Sequence, residues 1–179
     1  MPITSVSTKS LGQAGLTDYE PQRVNNCLLV FNLGGSDDDT LELALSTFPL
    51  PKTSNGIIEQ GHVNEKRKFA GNPIFEDLPV VYKDMVDVDI ARILQKWRYT
   101  VYNPETGQVG LARDYKKRGT ATLFAPNGGF VRTWTLIGAW PSSFDAGDAD
   151  LSGEDTVNIS VTITIDKAIP GQGVNPGAV

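Results

Sequence analysis

Cysteine and histidine occur once each in this chain of 179 residues, and each scarcity removes a class of function. A lone thiol, Cys27, forms no internal disulfide. Its place in the run Cys27-Leu28-Leu29-Val30-Phe31 reads as a strand interior, so a small buried hydrophobe is expected and not a nucleophile. His62 stands between Gly61 and Val63 with no second histidine and no nearby cysteine to complete a metal site, which makes it a solvent-facing loop residue in expectation. Also missing are the nucleophile elbow Gly-x-Ser-x-Gly, the phosphate loop Gly-x-x-x-x-Gly-Lys and the dinucleotide fingerprint Gly-x-Gly-x-x-Gly. Catalysis has no visible seat, and neither a cofactor nor a metal is expected.

Positive charge is short as well: 16 Lys and Arg face 21 Asp and Glu, a formal charge of -5. That balance disfavours a protein that grips nucleic acid through its phosphates. No apolar run approaches the roughly 20 residues that cross a bilayer. The start Met1-Pro2-Ile3-Thr4 lacks the basic and then apolar layout of a signal peptide. The expectation is a soluble chain made in the cytoplasm, with no membrane partner.

What the chain does carry is alternation. Strand signals recur over Val24 to Leu33, Leu41 to Phe48, Val80 to Val86, Gly119 to Ala125, Phe130 to Trp140 and Thr156 to Asp166. In the last of these, Val157, Ile159, Val161, Ile163 and Ile165 fall on one face and Asn158, Ser160, Thr162, Thr164 and Asp166 on the other. Such a period of two means a strand with one side buried. The segment Ala125-Pro126-Asn127-Gly128-Gly129 offers left-handed-tolerant residues between two apolar runs, so 119 to 140 is expected to be a β-hairpin. One helix is expected over about 88–101, capped by Asp87, with Ile90, Leu94, Trp97 and Val101 on one stripe and Asn103-Pro104 as its stop. The expected fold is mainly β, an antiparallel sandwich or barrel with one α-helix. It occupies residues 23–169, between a flexible N-terminal arm (1–22) and a flexible C-terminal tail (170–179) rich in Gly and Pro.

Other features have plainer readings. The acidic stretch Asp145, Asp148, Asp150, Glu154 and Asp155 contains Asp148-x-Asp150-x-Ser152-Gly153, which opens like a calcium loop. Its twelfth position, where a bidentate Glu should close the site, is Ile159, inside a strand, so a solvated turn is expected. Asp37-Asp38-Asp39 receives the same reading, as a turn between two strands. The sequon Asn158-Ile159-Ser160 lies in a strand, a poor glycan acceptor. Trp134, Trp140 and Phe144 could form a stacking platform, although core packing is the better account. From Pro49 to Pro79 no period is sustained, and a connection of about 30 residues usually has a task.

The stretch Phe130-Val131-Arg132-Thr133-Trp134-Thr135-Leu136-Ile137-Gly138-Ala139-Trp140-Pro141-Ser142-Ser143-Phe144-Asp145, followed by an acidic connection and the long alternating strand, resembles the tail tube proteins of contractile-tailed bacteriophages. In that family a Trp-bearing strand runs into a Gly-x-Trp-Pro turn before a terminal strand, and the helix bearing Trp97 matches the family's lone helix. Trp97, Trp134, Gly138, Trp140 and Pro141 carry the likeness, which covers roughly residues 24–168. The haemolysin-coregulated protein of type VI secretion shares the architecture.

The resemblance implies a structural subunit, not an enzyme, that closes into hexameric rings stacked as the inner tube of a tail. Double-stranded DNA passes through such a tube without specific binding. The implied partners are other copies of the chain, tail sheath, tape-measure, baseplate and tail-terminator proteins, and the implied location is the virion tail. An acidic or neutral lining would let phosphates pass, and alternation nominates Glu42, Ser46, Thr120, Thr122, Thr133 and Thr135 for it. The segment 49–79 resembles the family's extended loop to the adjacent ring. Its Ile57, Glu59, Glu65, Lys66, Arg67, Lys68 and Phe69 are the candidate contacts, with Ile58, Ile74 and Phe75 adding apolar content. Two alternatives stay open: a tube subunit of a secretion or contractile injection system and, from another class, a carbohydrate- or calcium-binding sandwich.

Overall fold

A computed structural model describes residues 22–147 and 156–171. The expected N-terminal arm up to residue 21, the acidic positions 148–155 and the tail from residue 172 lie outside the described residues. In chain order the elements are β1 (Cys27–Phe31), α1 (Asp37–Ala44), β2 (Leu45–Thr47), β3 (Thr53–His62), β4 (Glu65–Phe75), β5 (Leu78–Lys83), α2 (Ile90–Val101), α3 (Ala112–Tyr115), β6 (Lys117–Phe124), β7 (Phe130–Asp145), β8 (Asn158–Thr164) and β9 (Lys167–Gly171). Seven strands form one antiparallel sheet in the order β1-β6-β7-β8-β5-β2, with β9 also paired to β7, and β3 pairs only with β4.

The sheet wraps into a sandwich because its longest strand bends. The first half of β7 lies beside β6 and β9, through pairs such as Ala121 with Trp134 and Pro170 with Trp134. Its second half lies beside β8, from Trp140 opposite Thr164 to Asp145 opposite Ser160. The bend falls at Gly138, whose φ of +69° lies in the left-handed region that L side chains rarely adopt. Opposite it, β8 and β9 break at Ile165 and Asp166, and the Asp166 amide donates to the Ile137 carbonyl at 3.0 Å. The Asp166 carboxylate lies over the Gly138 Cα, where any Cβ would collide with it. Lys116 Nζ holds that carboxylate at 2.7 and 2.8 Å. Just beyond the bend, Pro141 is fully buried inside the sheet, and the register shift between Pro141 and Ser143 accommodates a residue without an amide donor.

The core lies between the two halves of the sheet and under the helices. Val80 and Tyr82 of β5, Ile159, Val161 and Ile163 of β8, Leu29 and Phe31 of β1, Ala121 of β6 and Leu136 of β7 are all buried. Helix α2 caps one side with Ile90, Leu94 and Trp97. The Trp97 ring lies 5.4 Å from that of Phe31, and its Nε1 donates to the Tyr115 carbonyl at 2.9 Å. Tyr115 in turn meets Trp140 edge-on at 5.7 Å, so α2, α3 and β7 are joined through aromatic contacts.

The expected mainly β sandwich with a helix near 88–101 is present, and several local expectations need correction. The helix cap is Asp89, which accepts from the Arg92 amide at 2.8 Å, and not Asp87. Leu41 to Phe48 is not a strand: α1 runs to Ala44 and only the short β2 follows. Leu41 and Ala44, three residues apart on one face of α1, are its buried residues, and Leu45 and Phe48 beyond the helix also pack on the core. Asp37, Asp38 and Asp39 therefore form the first turn of a helix, where negative charge is favourable, and not a turn between strands. With α3 there are three helices among the described residues instead of one. Gly138 to Pro141 is the bent interior of β7 and not a turn. The strand expected over Thr156 to Asp166 is β8 followed by β9, and pairing continues through Pro170 and Gly171, two residues into the expected tail. Cys27 is only half-buried, on the edge strand β1, and desolvation pushes its thiol pKa up.

The corner makes a direct prediction. Gly138→Ala introduces both an unfavourable φ and a collision with Asp166, and should destabilise the monomer by about 2 kcal/mol or more in urea denaturation. A loss within about 0.5 kcal/mol, the usual effect of a neutral surface change, would show that the bend does not depend on this glycine.

Candidate assembly interface

Residues 49–79, read from sequence as an irregular connection, contain a long hairpin. Strand β3 pairs with β4 from Thr53 opposite Phe75 to His62 opposite Glu65, with a register shift between Asn55 and Ile57. Val63 at the tip has a φ of 57°, a left-handed conformation that a β-branched residue seldom takes. Pairing alternates side chains across the two faces. Ile57, Glu59, Lys66, Lys68 and Ala70 share one face, and Ile58, Gln60, Arg67 and Phe69 share the other. Glu59 meets Lys66 at 3.5 Å and Lys68 at 3.8 Å. These exposed pairs contribute little to stability.

Neither face of this hairpin is covered. Ile57 is 67% exposed, Ile58 58%, Phe69 51% and Ile74 55%, although such side chains favour burial. Only Phe75, at its base, packs on the body's core. A two-stranded sheet with both faces in water is marginal alone, and this one leaves apolar surface that the body does not cover. All seven expected contact residues, Ile57, Glu59, Glu65, Lys66, Arg67, Lys68 and Phe69, lie on it.

The expected channel residues divide differently. Thr120 pairs with Thr135, and Thr122 with Thr133, so four hydroxyls form adjacent cross-strand pairs on the outward face of β6 and β7. The rows extend to Val30 and Leu28 of β1 and to Ile169 and Gly171 of β9. This face bears no carboxylate along those rows. Thr122 is only 6% exposed, so it is part of the sheet's packing and not an open surface. Glu42 and Ser46 do not join the set: Glu42 is exposed on α1, and Ser46 lies on β2 at the far edge of the sheet. The helix there replaces the strand alternation that had grouped them.

In the seven-stranded sheet, four backbone edges are left without a strand partner among the described residues. β1 pairs only with β6, β2 only with β5, β9 only with β7, and Trp140 to Asp145 of β7 only with β8. Beside the β7 edge a groove is lined by Tyr99, Tyr102, Pro104, Trp140 and Pro141. Tyr99 and Tyr102 are both exposed, and the α2 stripe identifies only the buried face, so sequence periodicity does not mark them. Of the motif residues, Trp97 and Pro141 are buried, Trp134 and Trp140 are half-buried, and Phe144 packs on the core, which accounts for these aromatics without a stacking platform. Most of the calcium-like pattern lies outside the described residues. Among those described, no group of three or more His, Cys, Asp or Glu is placed to hold a metal.

A bent antiparallel sandwich with a capping helix is also the fold of several solved tube structures. The anti-feeding prophage tube-terminating cap superposes with a TM-score of 0.69 at 13% identity, covering 95% of this chain and 99% of that one. The sheath-tube complex of the extracellular contractile injection system PVC gives 0.65 at 19% identity, covering 86% and 93%. The SPP1 tail tube gives 0.52 at 15% identity, covering 87% and 81%. In sequence, the chain is 27% identical over 89 residues to the tail tube protein of Serratia phage KSP90, a match that covers 49% of this chain and 50% of that protein. The match thus spans about half the length of that relative. No family model matches the chain.

If the hairpin is an assembly element and not part of the body, removing it should leave the body folded. Replacing residues 54–74 by a two-residue Asn-Gly turn should shift monomer stability by about 1 kcal/mol or less, since none of the excised side chains enters the core. Loss of cooperative unfolding in the shortened protein would show that the hairpin belongs to the body.

Proposed function

We propose that this chain is the structural subunit of a phage tail tube, closing into hexameric rings that stack around a channel for DNA. The observation that carries the reading is the hairpin β3–β4, apolar on both faces and uncovered, projecting from a body whose core is already complete. A protein of this fold with such a surplus is one unit of a larger object. Open edges at β1, β2, β9 and the second half of β7 supply unpaired amides and carbonyls, and a closed ring removes such edges.

Strands from several copies joined side by side give a barrel too wide for side chains to fill, hence an aqueous channel. The Thr120–Thr135 pair on β6 and β7 suits its lining, with the exposed Arg118 and Lys167 bordering it. Two cations at the border hold phosphates far less than a basic groove would. On this reading the chain performs no catalysis and needs no cofactor, and its place is the virion tail. Its partners are a sheath around the tube, a tape-measure protein within it, and a baseplate and terminator at its ends.

A second reading is favoured by one specific fact: several of the structural neighbours come from the PVC and anti-feeding prophage systems. A contractile injection tube would use the same ring and stacking surfaces for a different cargo. Nucleic acid inside particles purified with this protein supports the phage tube, and its replacement by protein supports the injection tube.

The direct test is negative-stain microscopy of the purified protein at rising concentration. Rings or tubes with a central channel are expected. A protein that stays strictly monomeric at high concentration, by sedimentation as well as by imaging, would sink the proposal.

A further inference from the structure

The hairpin tip and the α1–α2 corner are opposite in charge. Lys66, Arg67 and Lys68 stand in succession on β4 against Glu59 and Glu65. At the other site, α1 carries Asp37, Asp38, Asp39 and Glu42, and the connection from β5 to α2 carries Asp84, Asp87 and Asp89. Facing these acids are Arg92 and Lys96 of α2, with Lys83 at the end of β5. Between α1 and the start of α2 lies a groove of about 490 Å³ lined by Asp37, Asp87, Val88, Asp89, Arg92 and Lys96, together with Ile93.

Several of these charges are already committed inside the subunit. Asp37 is bound to Lys96 at 3.2 Å, and Asp38 accepts from the amides of Leu33 and Gly34. Asp89 caps α2. Asp87 and Arg92, by contrast, are exposed, and neither side chain has a hydrogen bond or ion pair among the described residues. On the hairpin, Lys66 and Lys68 share Glu59, whereas the exposed Arg67 likewise has no side-chain partner among the described residues. Apolar surface accompanies the charge on both sides: Ile58 and Phe69 flank Arg67 on its face, and Val86 and Val88 flank Asp87.

We infer that the two surfaces are partners in trans, the β3–β4 hairpin of one copy docking in the α1–α2 groove of the next, with Arg67 against Asp87. The inference rests on the tube reading and adds the acceptor surface and the polarity of the contact. One patch meets a different patch on an identical copy, so the contact is head-to-tail and repeats along an axis. Opposite charge sets register and rejects wrong seating, and the isoleucine and phenylalanine side chains supply the apolar area. Arg suits the role, since its planar fork accepts a carboxylate through two bonds at once.

The test is a charge exchange in the full-length chain. Arg67→Glu and Asp87→Arg should each lower tube yield at least tenfold at low salt, with the circular dichroism of the monomer unchanged. The double variant R67E/D87R should recover tubes to within about threefold of the natural sequence, since the ion pair is restored with its sign reversed. As a second measurement, copies carrying R67C mixed with copies carrying D87C, all in a Cys27→Ser background, should be joined by a short bismaleimide. Tubes that form normally with R67E, or a double variant no better than either single one, would overturn the docking while leaving the tube reading intact. Failure of the natural sequence to form rings or tubes would overturn both.

Discussion

Two strands that turn together set the geometry of this protein. β7 cannot lie flat beside β6 and also reach β8 unless it bends, and its partner strand must break at the same height. Gly138 allows the bend by occupying a backbone region that side-chain-bearing residues rarely adopt, and Asp166 fills the space that the missing side chain leaves. Lys116 then neutralises that carboxylate, and because Lys116 directly follows α3, the ion pair also fixes where the helical side of the molecule meets the sheet. The Trp97, Tyr115 and Trp140 contacts follow from that placement. Loosening the corner would separate the two halves of the sheet, one carrying β1, β6 and β9 and the other β8, β5 and β2.

The division between body and surplus is equally physical. All the side chains of the core come from elements other than β3 and β4, with only Phe75 packing at its margin. A chain of this size has enough apolar surface to close one core. What it spends on the hairpin adds nothing to that core, and the hairpin's apolar residues remain in water until another surface meets them. Cys27, half-buried on an edge strand with its thiol pKa raised by desolvation, takes no part in this economy beyond packing.

How much of this was legible depended on whether a face was buried inside the subunit. β5 and β8 alternate because one side faces the core, and α2 shows its stripe through Ile90, Leu94 and Trp97 for the same reason. The hairpin was hidden because neither of its faces is buried here, so Thr53 to Phe75 has no reason to alternate and its turn is Val63-Asn64 instead of a glycine pair. Helix α1 was misread since Leu41-Glu42-Leu43-Ala44-Leu45 satisfies two periods at once, and Leu43, apolar but 76% exposed, tipped the pattern toward a strand. The exposed apolar and charged cluster at 57–69 is legible even so, because apolar residues beside a charged run without a core to enter are anomalous whatever their conformation.

The hairpin also poses a problem for the newly made subunit. An uncovered pair of strands is a template on which any extended chain can grow, including an identical hairpin in the wrong register, which leads toward fibrils instead of ordered particles. Its sequence carries the usual protections against that outcome. Lys66, Arg67 and Lys68 repel their counterparts on a second hairpin laid alongside in register, Pro73 withholds an amide from an incoming strand, and the register shift at Asn55 disrupts a flat edge. On the tube reading, the same residues that seat the hairpin on its partner surface also keep one hairpin from pairing with another.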